Sequence, residues 1–460
     1  MHSLTRREFL KCAGAGAAAL ALPRWLRAAA TPAGPRQDEG RANIIFVLFD
    51  DLGYGEPPTF RGNSPFKMPN LERLAQEGVK FTDAHCAAAV CTPTRYGVLT
   101  GRYPFRIGQF GVLSFPSRPI IEKERMTVAS MLKSQGYHTA CFGKWHLGMN
   151  WGDVKAEADA RPETPVADGP TTRGFDVFAG YTEARSIRSV IENDRVLGKF
   201  EPVEVQPLMA KKAVEYIDAR AKDGKPFFLY QPLSIPHVPH VPAKEFEGKS
   251  GQGAYGDWIF EGDWVLGQIV DALRRGGLAE NTLIIASSDN GAEGREYPPL
   301  RGSKRSIYEG GHREPFVARW PAKIKAGSVC DGTVCLNDLF ATAAEIAGAK
   351  VPDGAGEDSV SILPHLLGAA SQRRDPTGQG KEPVREATVH QSMAGDLAIR
   401  QGPWKLIFFK GGRRELYNLK DDLSETRDVL AANPDVAERL AKLMQQYIDN
   451  GRSTPGAPQT

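Results

Sequence analysis

The sequence predicts an α/β fold: a large, mostly parallel sheet sandwiched by helices, then a smaller C-terminal antiparallel-sheet subdomain and a terminal helix. Three observations carry this. Asn43 to Phe49 and Thr282 to Ala286 are apolar runs without alternation, the pattern of strands buried on both faces. Helix-like segments repeatedly lead into such strands, which implies a sheet covered on both sides. From about residue 384 the texture changes to short strands around the Gln401-Gly402-Pro403 turn.

In chain order, Thr5-Arg6-Arg7-Glu8-Phe9-Leu10-Lys11 precedes the weakly apolar run Cys12 to Leu22, and Ala28-Ala29-Ala30 offers a small-residue cleavage site. Twin arginines ahead of an apolar run read as a Tat export signal over residues 1–30, with a polar linker over 31–42. The Tat machinery is then a partner, and the location is periplasmic or secreted. Lysine before Cys12 makes a poor lipidation signal, and no later stretch is long and apolar enough to span a bilayer.

Pro69 to Gln76 is a helix stopped at Gly78, and Thr127 to Ser134 another stopped at Gly136. Tyr137 to Phe142 is a strand delivering Lys144 and His146. A helix over Leu208 to Ala221 leads into the strand Pro226 to Tyr230, which delivers His237. Trp258 to Arg275 leads through Gly276-Gly277 into the strand ending at Asp289. Residues 43–383 thus form one large domain. Gln372 to Gly378 reads as a polar surface connection to residues 384–460, where Leu397 to Arg400 and Trp404 to Phe409 are strands and Val436 to Tyr447 is a helix.

The chain of 460 residues carries a net charge of +3, which suggests no nucleic-acid partner. Beyond the signal its cysteines are Cys86, Cys91, Cys141, Cys330 and Cys335. That odd count fits one chemically special thiol and at most two disulfides, with Cys330–Cys335 an allowed pairing.

The chemistry centres on Cys91-Thr92-Pro93-Thr94-Arg95, continuing to Thr100-Gly101-Arg102. Pro93 suits a first helical turn and Gly101 a left-handed cap. Cys91 at the helix start meets the positive end of the macrodipole, and Arg95 one turn on can point back to it. A lone cysteine of this kind is more often a structural thiol. Acidic strand ends shift that balance, because parallel sheets bind ligands at the carboxyl ends of their strands. Asp50 and Asp51 end one strand; Asp289 and Asn290 end another. They supply only oxygen, which suits calcium or magnesium rather than zinc.

These motifs, with Gly143-Lys144-Trp145-His146-Leu147-Gly148, Pro236-His237, Ser288-Asp289-Asn290-Gly291, Leu300-Arg301-Gly302-Ser303-Lys304 and Glu309 to Pro315, resemble the sulfatase family of the alkaline-phosphatase-like superfamily. The likeness leans to arylsulfatase A and N-acetylgalactosamine-6-sulfatase types. It implies that Cys91 is oxidised by a formylglycine-generating enzyme to formylglycine, whose hydrated aldehyde attacks sulfur with one oxygen; deprotonating the other expels sulfate. It also implies a cation, calcium before magnesium, held by Asp50, Asp51, Asp289 and Asn290 together with the modified Cys91. Arg95 would orient the diol, Lys144 and Lys304 would bind sulfate oxygens, His146 would be the base and His237 the acid.

The expected reaction is hydrolysis of an aryl or carbohydrate sulfate monoester to an alcohol and inorganic sulfate. A phosphonate or phosphodiester hydrolase and an inactive binder of sulfated glycans are the alternatives. His240 and His312 are expected in supporting roles. Tyr103 to Arg106, the loop Arg185 to Arg195 and His390 are expected near the entrance. One contact the resemblance implies, a hydroxyl side chain after the lysine-histidine motif, has no clear match in this sequence; Thr171 and Thr172 are the candidates.

Overall fold

A computed structural model describes residues 41–368 and 384–459 of the chain. The export signal, nearly all of the linker and the connection at Gln372–Gly378 lie outside the described residues.

The strand Asn43–Asp50 is buried along its whole length. Alternate residues feed two separate cores. Ile44, Phe46 and Leu48 pack with Tyr96, Val98, Leu99 and Met131 on one side. Ile45, Val47 and Phe49 pack with Leu71, Met209, Ile217 and Leu266 on the other. Because side chains alternate across a strand, a strand between two cores must be apolar at every position. Each large apolar side chain so buried contributes about 1.5–3 kcal/mol.

This strand sits at the middle of a ten-stranded mixed sheet. It pairs in parallel with Thr282–Ser288 on one side and Phe227–Pro236 on the other. His138–Lys144 and then Val177–Tyr181 continue the parallel ladder. Antiparallel strands enter toward both edges: Phe316–Arg319 beside Thr282–Ser288, and Ser189–Glu192 beside Val177–Tyr181. The helices Cys91–Thr100, Val128–Ser134 and Leu339–Ala347 cover one face; Pro69–Gln76, Pro202–Asp223 and Gly253–Arg275 cover the other.

Local signals account for the helix ends. Thr127 accepts from Ser130 N–H in a reciprocal capping box. The helix expected from Leu208 instead starts at Pro202, where Glu201 and Glu204 form a capping box, and it carries Pro207 inside. Pro207 reads as a helix start but costs only one internal hydrogen bond near the helix beginning.

The C-terminal strands Thr388–Gln391, Leu397–Gln401, Trp404–Phe408 and Arg414–Asn418 form a four-stranded sheet, antiparallel throughout. Val389, Ile399, Leu406 and Leu416 pack against Leu440, Met444 and Tyr447 of the closing helix Pro434–Asp449. Gln391 exchanges backbone hydrogen bonds with Ala87 and Ala89, just before Cys91.

No disulfide joins Cys330 to Cys335. Cys330 lies on a strand paired with Val79–Phe81 in the large sheet, whereas Cys335 pairs beside His85 in a separate two-stranded ladder. Each cysteine is fixed by its own ladder, and a spacing of five residues does not by itself supply the geometry a disulfide needs.

Candidate active site

The parallel register brings the two acidic strand ends together. Phe49 pairs with Ser288, and Asp289 N–H donates to Phe49 C=O at 3.1 Å, so Asp289 stands beside Asp50. Successive strand residues normally face opposite ways. Asp51 escapes that alternation by adopting φ +73°, a left-handed conformation that aspartate tolerates. Its N–H then donates to Asp289 Oδ1 at 3.2 Å, and Asn290 Nδ2 donates to Asp51 Oδ1 at 2.7 Å.

Cys91 begins a ten-residue helix whose every side chain is buried, with Gly101 closing it at φ +66°. Ligand atoms of Asp50, Cys91 and Asp289 all lie within 4.8 Å of one another. Arg95, fully buried, donates to Asp289 Oδ2 through Nε at 3.0 Å and Nη2 at 2.6 Å. Its Nη1 donates to Lys144 C=O at 3.1 Å, which ties the helix to the strand His138–Lys144.

Two lysines complete the charge balance. Lys144 Nζ is 2.6 Å from Asp50 Oδ2, and Lys304 Nζ is 2.7 Å from Asp51 Oδ1. Burial alone would raise the Asp50 carboxyl, but Lys144, helped by His237, Arg95 and Lys304, holds it well below the carboxylate range. Asp289 is pushed the other way, by burial and then by the charge of Asp50, against the pull of Arg95. Two adjacent buried carboxylates resist ionising together unless a cation sits between them. Asp50 Oδ1 and Asn290 Oδ1 are buried without a hydrogen-bond partner among the described residues. Orphaned oxygens, carboxylates and an amide make a donor set that fits a hard divalent cation.

His146 also has a positive φ, +57°, and its N–H donates to Thr182 C=O. Its Nε2 is 2.8 Å from Leu113 C=O. A carbonyl only accepts, so Nε2 carries the proton and Nδ1 carries the lone pair, buried and without a hydrogen-bond partner among the described residues. Burial, then Lys144, lowers its pKa to about 3, so the ring is a neutral base. His237 donates Nδ1–H to Val238 C=O, leaving Nε2 toward Asp51 Oδ2 at 3.9 Å. Burial, against the pull of Asp50, lowers its pKa on balance. Cys91, Lys144, His146, His237 and Lys304 all line one cavity.

The family model described as Sulfatase matches residues 42–349. The chain belongs to the sulfatase family. A further model, of the C-terminal part of N-sulphoglucosamine sulphohydrolase, matches residues 302–452. This sulfatase is 31% identical to an N-acetylgalactosamine-6-O-sulfatase of Bacteroides thetaiotaomicron over 89% of the chain and 93% of that protein. It is 31% identical to arylsulfatase A of Bos taurus over 94% of the chain and 85% of that protein. A solved structure from work on glycosaminoglycan metabolism by Bacteroides thetaiotaomicron superposes with TM-score 0.78 at 28% identity, covering 88% of this chain and 99% of that one. The sulfatase is a sulfuric ester hydrolase with an α/β fold of the alkaline-phosphatase-like kind. A twin-arginine translocation signal model matches residues 3–23, so it is exported, to the periplasm or beyond. Among the described residues no helix is long and apolar enough to cross a membrane.

Several residues expected near the entrance lie elsewhere in the sulfatase. His390 is fully buried, stacked on His312 at 4.0 Å between ring centres. Tyr103 is buried with its hydroxyl 3.1 Å from Arg385 Nη1, and Arg106 pairs with Asp358 at 2.7 Å. Of the loop Arg185 to Arg195, Arg185 does line the cavity, whereas Arg195 is exposed and pairs with Glu163. Thr172 bonds Asp168 and Gly169 rather than the cavity. Arg185 aside, each of these polar groups found a local or buried partner that no short spacing announces. Conversely, Thr92 Oγ1 donates to His146 C=O and accepts from Leu113 N–H, so it supports both walls of the cavity. Its place inside the Cys91 motif was the available signal. Glu183, Val112, Ser114, Arg305 and Met393 line the mouth without any signal in the sequence.

Proposed function

We propose that the cavity hydrolyses a carbohydrate sulfate monoester to the alcohol and inorganic sulfate, with Cys91 matured to formylglycine. Asp50, Asp51, Asp289 and Asn290 hold calcium, with residue 91 completing the site. When bound, calcium offsets sulfate charge and favours the ionised nucleophile. The observation that carries the reading is the approach of Asp50, Cys91 and Asp289 within 4.8 Å at the cavity that Lys144, His146, His237 and Lys304 also line.

Within it, Arg95 holds Asp289 and the helix start in register, so the nucleophile and the cation ligands keep one geometry. Lys144 and Lys304 present point charges to the sulfate oxygens. His146 Nδ1, with its lone pair held free by the Nε2–Leu113 bond, takes the proton whose loss expels sulfate. His237 is neutral with its proton on Nδ1 before substrate binds; the anionic sulfate beside it favours uptake of a second proton at Nε2, and that proton goes to the leaving alcohol. Maturation makes a formylglycine-generating enzyme a required partner. The likeness to an N-acetylgalactosamine-6-O-sulfatase supports a sulfated saccharide as substrate. The functional division falls as residues 43–383 for the chemistry and 384–460 for the C-terminal subdomain.

Matured, calcium-loaded protein assayed for inorganic sulfate on aryl and saccharide sulfates, beside phosphonate and phosphodiester esters, tests this. The sulfate esters should show the highest kcat/KM. Preference for a phosphonate or diester would overturn the reading, as would absence of sulfate release from every ester.

A further inference from the structure

The cavity that receives the sulfate is small, about 50 Å³. A water needs about 10–15 Å³ of such volume, so this space suits the oxygens of one sulfate and excludes a sugar ring. The ring must therefore rest at the mouth, and the mouth has a definite character.

Two apolar side chains flank it from different parts of the chain. Val112 is 37% exposed and Met393 39% exposed, although both are large hydrophobic residues. Met393 comes from the turn between Thr388–Gln391 and Leu397–Gln401, and its N–H donates to Arg305 C=O at 3.3 Å. The C-terminal subdomain is thereby held against the loop that carries Lys304. Such flanks suit the C–H face of a pyranose ring.

Arg185 supplies the charge. It lies in the short 3₁₀ turn Ala184–Ser186, whose other two residues are buried, so the backbone beneath it is anchored. Glu183 Oε1 accepts from Phe115 N–H at 3.1 Å and ties this turn to the loop of Val112 and Ser114. The Arg185 side chain is exposed and has no hydrogen-bond or ion-pair partner among the described residues. Other cations nearby are committed: Arg305 to Glu293, Arg188 to Glu201, and Lys304 to Asp51 and the sulfate inside the cavity. An uncommitted guanidinium at a rigid position matches a carboxylate or sulfate with two parallel hydrogen bonds. The Glu183 carboxylate, also on the cavity wall, repels an anion from its own surroundings and so narrows the choice of position.

We infer that Arg185 is a specificity-determining residue: it binds a second anionic group on the saccharide whose sulfate occupies the cavity. The inference rests on the sulfatase reading of the site and deepens it, because the substrate becomes a polyanionic saccharide. The second anion is a uronate carboxylate or another sulfate, which share the charge and fork geometry that arginine reads.

The test compares three disaccharides on matured, calcium-loaded protein: one monosulfated and otherwise neutral, one with the sulfated sugar joined to a uronate, and one disulfated. At least one dianionic substrate should show a KM about 10-fold below that of the neutral one. Arg185→Ala should abolish that ratio while Arg185→Lys restores part of it. Arg188→Ala, on the same segment but already paired with Glu201, should leave the ratio in place. The responding disaccharide identifies the anion as carboxylate, sulfate or either. Equal KM values, or a ratio indifferent to Arg185→Ala, would overturn the inference. Calorimetric binding of the same disaccharides to unmatured, calcium-loaded protein reads the subsite without turnover. Loss of all sulfate release with the Arg185-dependent binding ratio intact would count against the sulfatase reading alone; equal binding of all three would count against Arg185.

Discussion

Arg95 Nη2 stands 2.6 Å from Asp289 Oδ2 with both side chains fully buried, and this pair joins the helix that begins at Cys91 to the strand end that begins the acidic cluster. Arg95 is held more firmly protonated than usual, burial notwithstanding, because Asp289 faces it. The pair therefore serves the fold and the chemistry together.

Asp289→Ala tests both roles. A strand-end position by itself suggests a tolerant site, but alanine removes the closer of the two carboxylates facing the buried Arg95 and leaves only Asp50, at 3.6 Å, a loss of up to about 3–5 kcal/mol. Thermal melting should show that loss. Activity should fall by more than the roughly 10–100-fold typical of removing an outer partner of a metal ligand. Calcium affinity should fall with it in a titration. Wild-type melting or wild-type calcium affinity would contradict the assignment.

Cys91 in a host without the maturing activity should yield folded protein with a thiol and little turnover, because a thiol has no second hydroxyl to expel sulfate. Cys91→Ser should stall as a covalent sulfate ester if it reacts. Mass spectrometry of the tryptic peptide Phe81 to Arg95 distinguishes thiol, aldehyde and ester. Full activity in a sample carrying only the thiol would refute the nucleophile.

His237→Ala should hurt saccharide sulfates more than nitrophenyl sulfate. A sugar alkoxide leaves poorly without a proton, whereas nitrophenolate leaves well, so general acid catalysis worth about 10²–10⁴-fold is needed only for the former. A Michaelis analysis with both substrates reads the difference. Equal losses would assign His237 to positioning instead.

Stability should decline as pH falls below about 6.5. His85, His312 and His390 are buried together, and burial lowers all three, with Asp83, Glu309, Arg400 and Lys405 packed around them. The unfolded chain then takes up protons first, from its usual value of 6.5 downward. Each histidine contributes a loss of up to about 1.4 kcal/mol per pH unit in that window. Asp83 and Glu309, both held low, add losses in the same direction at more acidic pH. Tm measured from pH 7.5 to 5 should fall, and His390→Gln should flatten the slope. A flat profile in the native chain would show that the cluster is already charged.

Gly143→Ala should destabilise the protein by about 3 kcal/mol or more, since strain and overpacking both apply. Gly143 has φ +132°, and a Cβ there would meet Pro232 C=O at 1.9 Å. The clash lies between the strands that deliver Lys144 and His237. Denaturant unfolding measures the loss, and kcat should fall in the surviving folded fraction.

Much of this protein was legible from consecutive residues. The unbroken apolar run ending at Asp50, the Pro93 and Gly101 punctuation of the Cys91 helix and the short C-terminal strands are local signals, because period and capping act within a few residues. The family motifs likewise named Lys144, His146, His237 and Lys304. What they could not contain is adjacency. The pairing of Phe49 with Ser288 is a register between strands more than two hundred positions apart, and it is this register that sets Asp289 beside Asp50. His390 could as easily have faced solvent; stacking on His312 buried it. Cys330 and Cys335, close in sequence, were separated by the two ladders they joined. Arg185 falls in the loop expected at the entrance, but Met393 carries no signal, and their meeting at one mouth depends on how a 3₁₀ turn and a distant β-turn pack. Short-range chemistry determines which elements form and which residue types end them; long-range packing, where loop closure must be offset by burial, decides which ends meet.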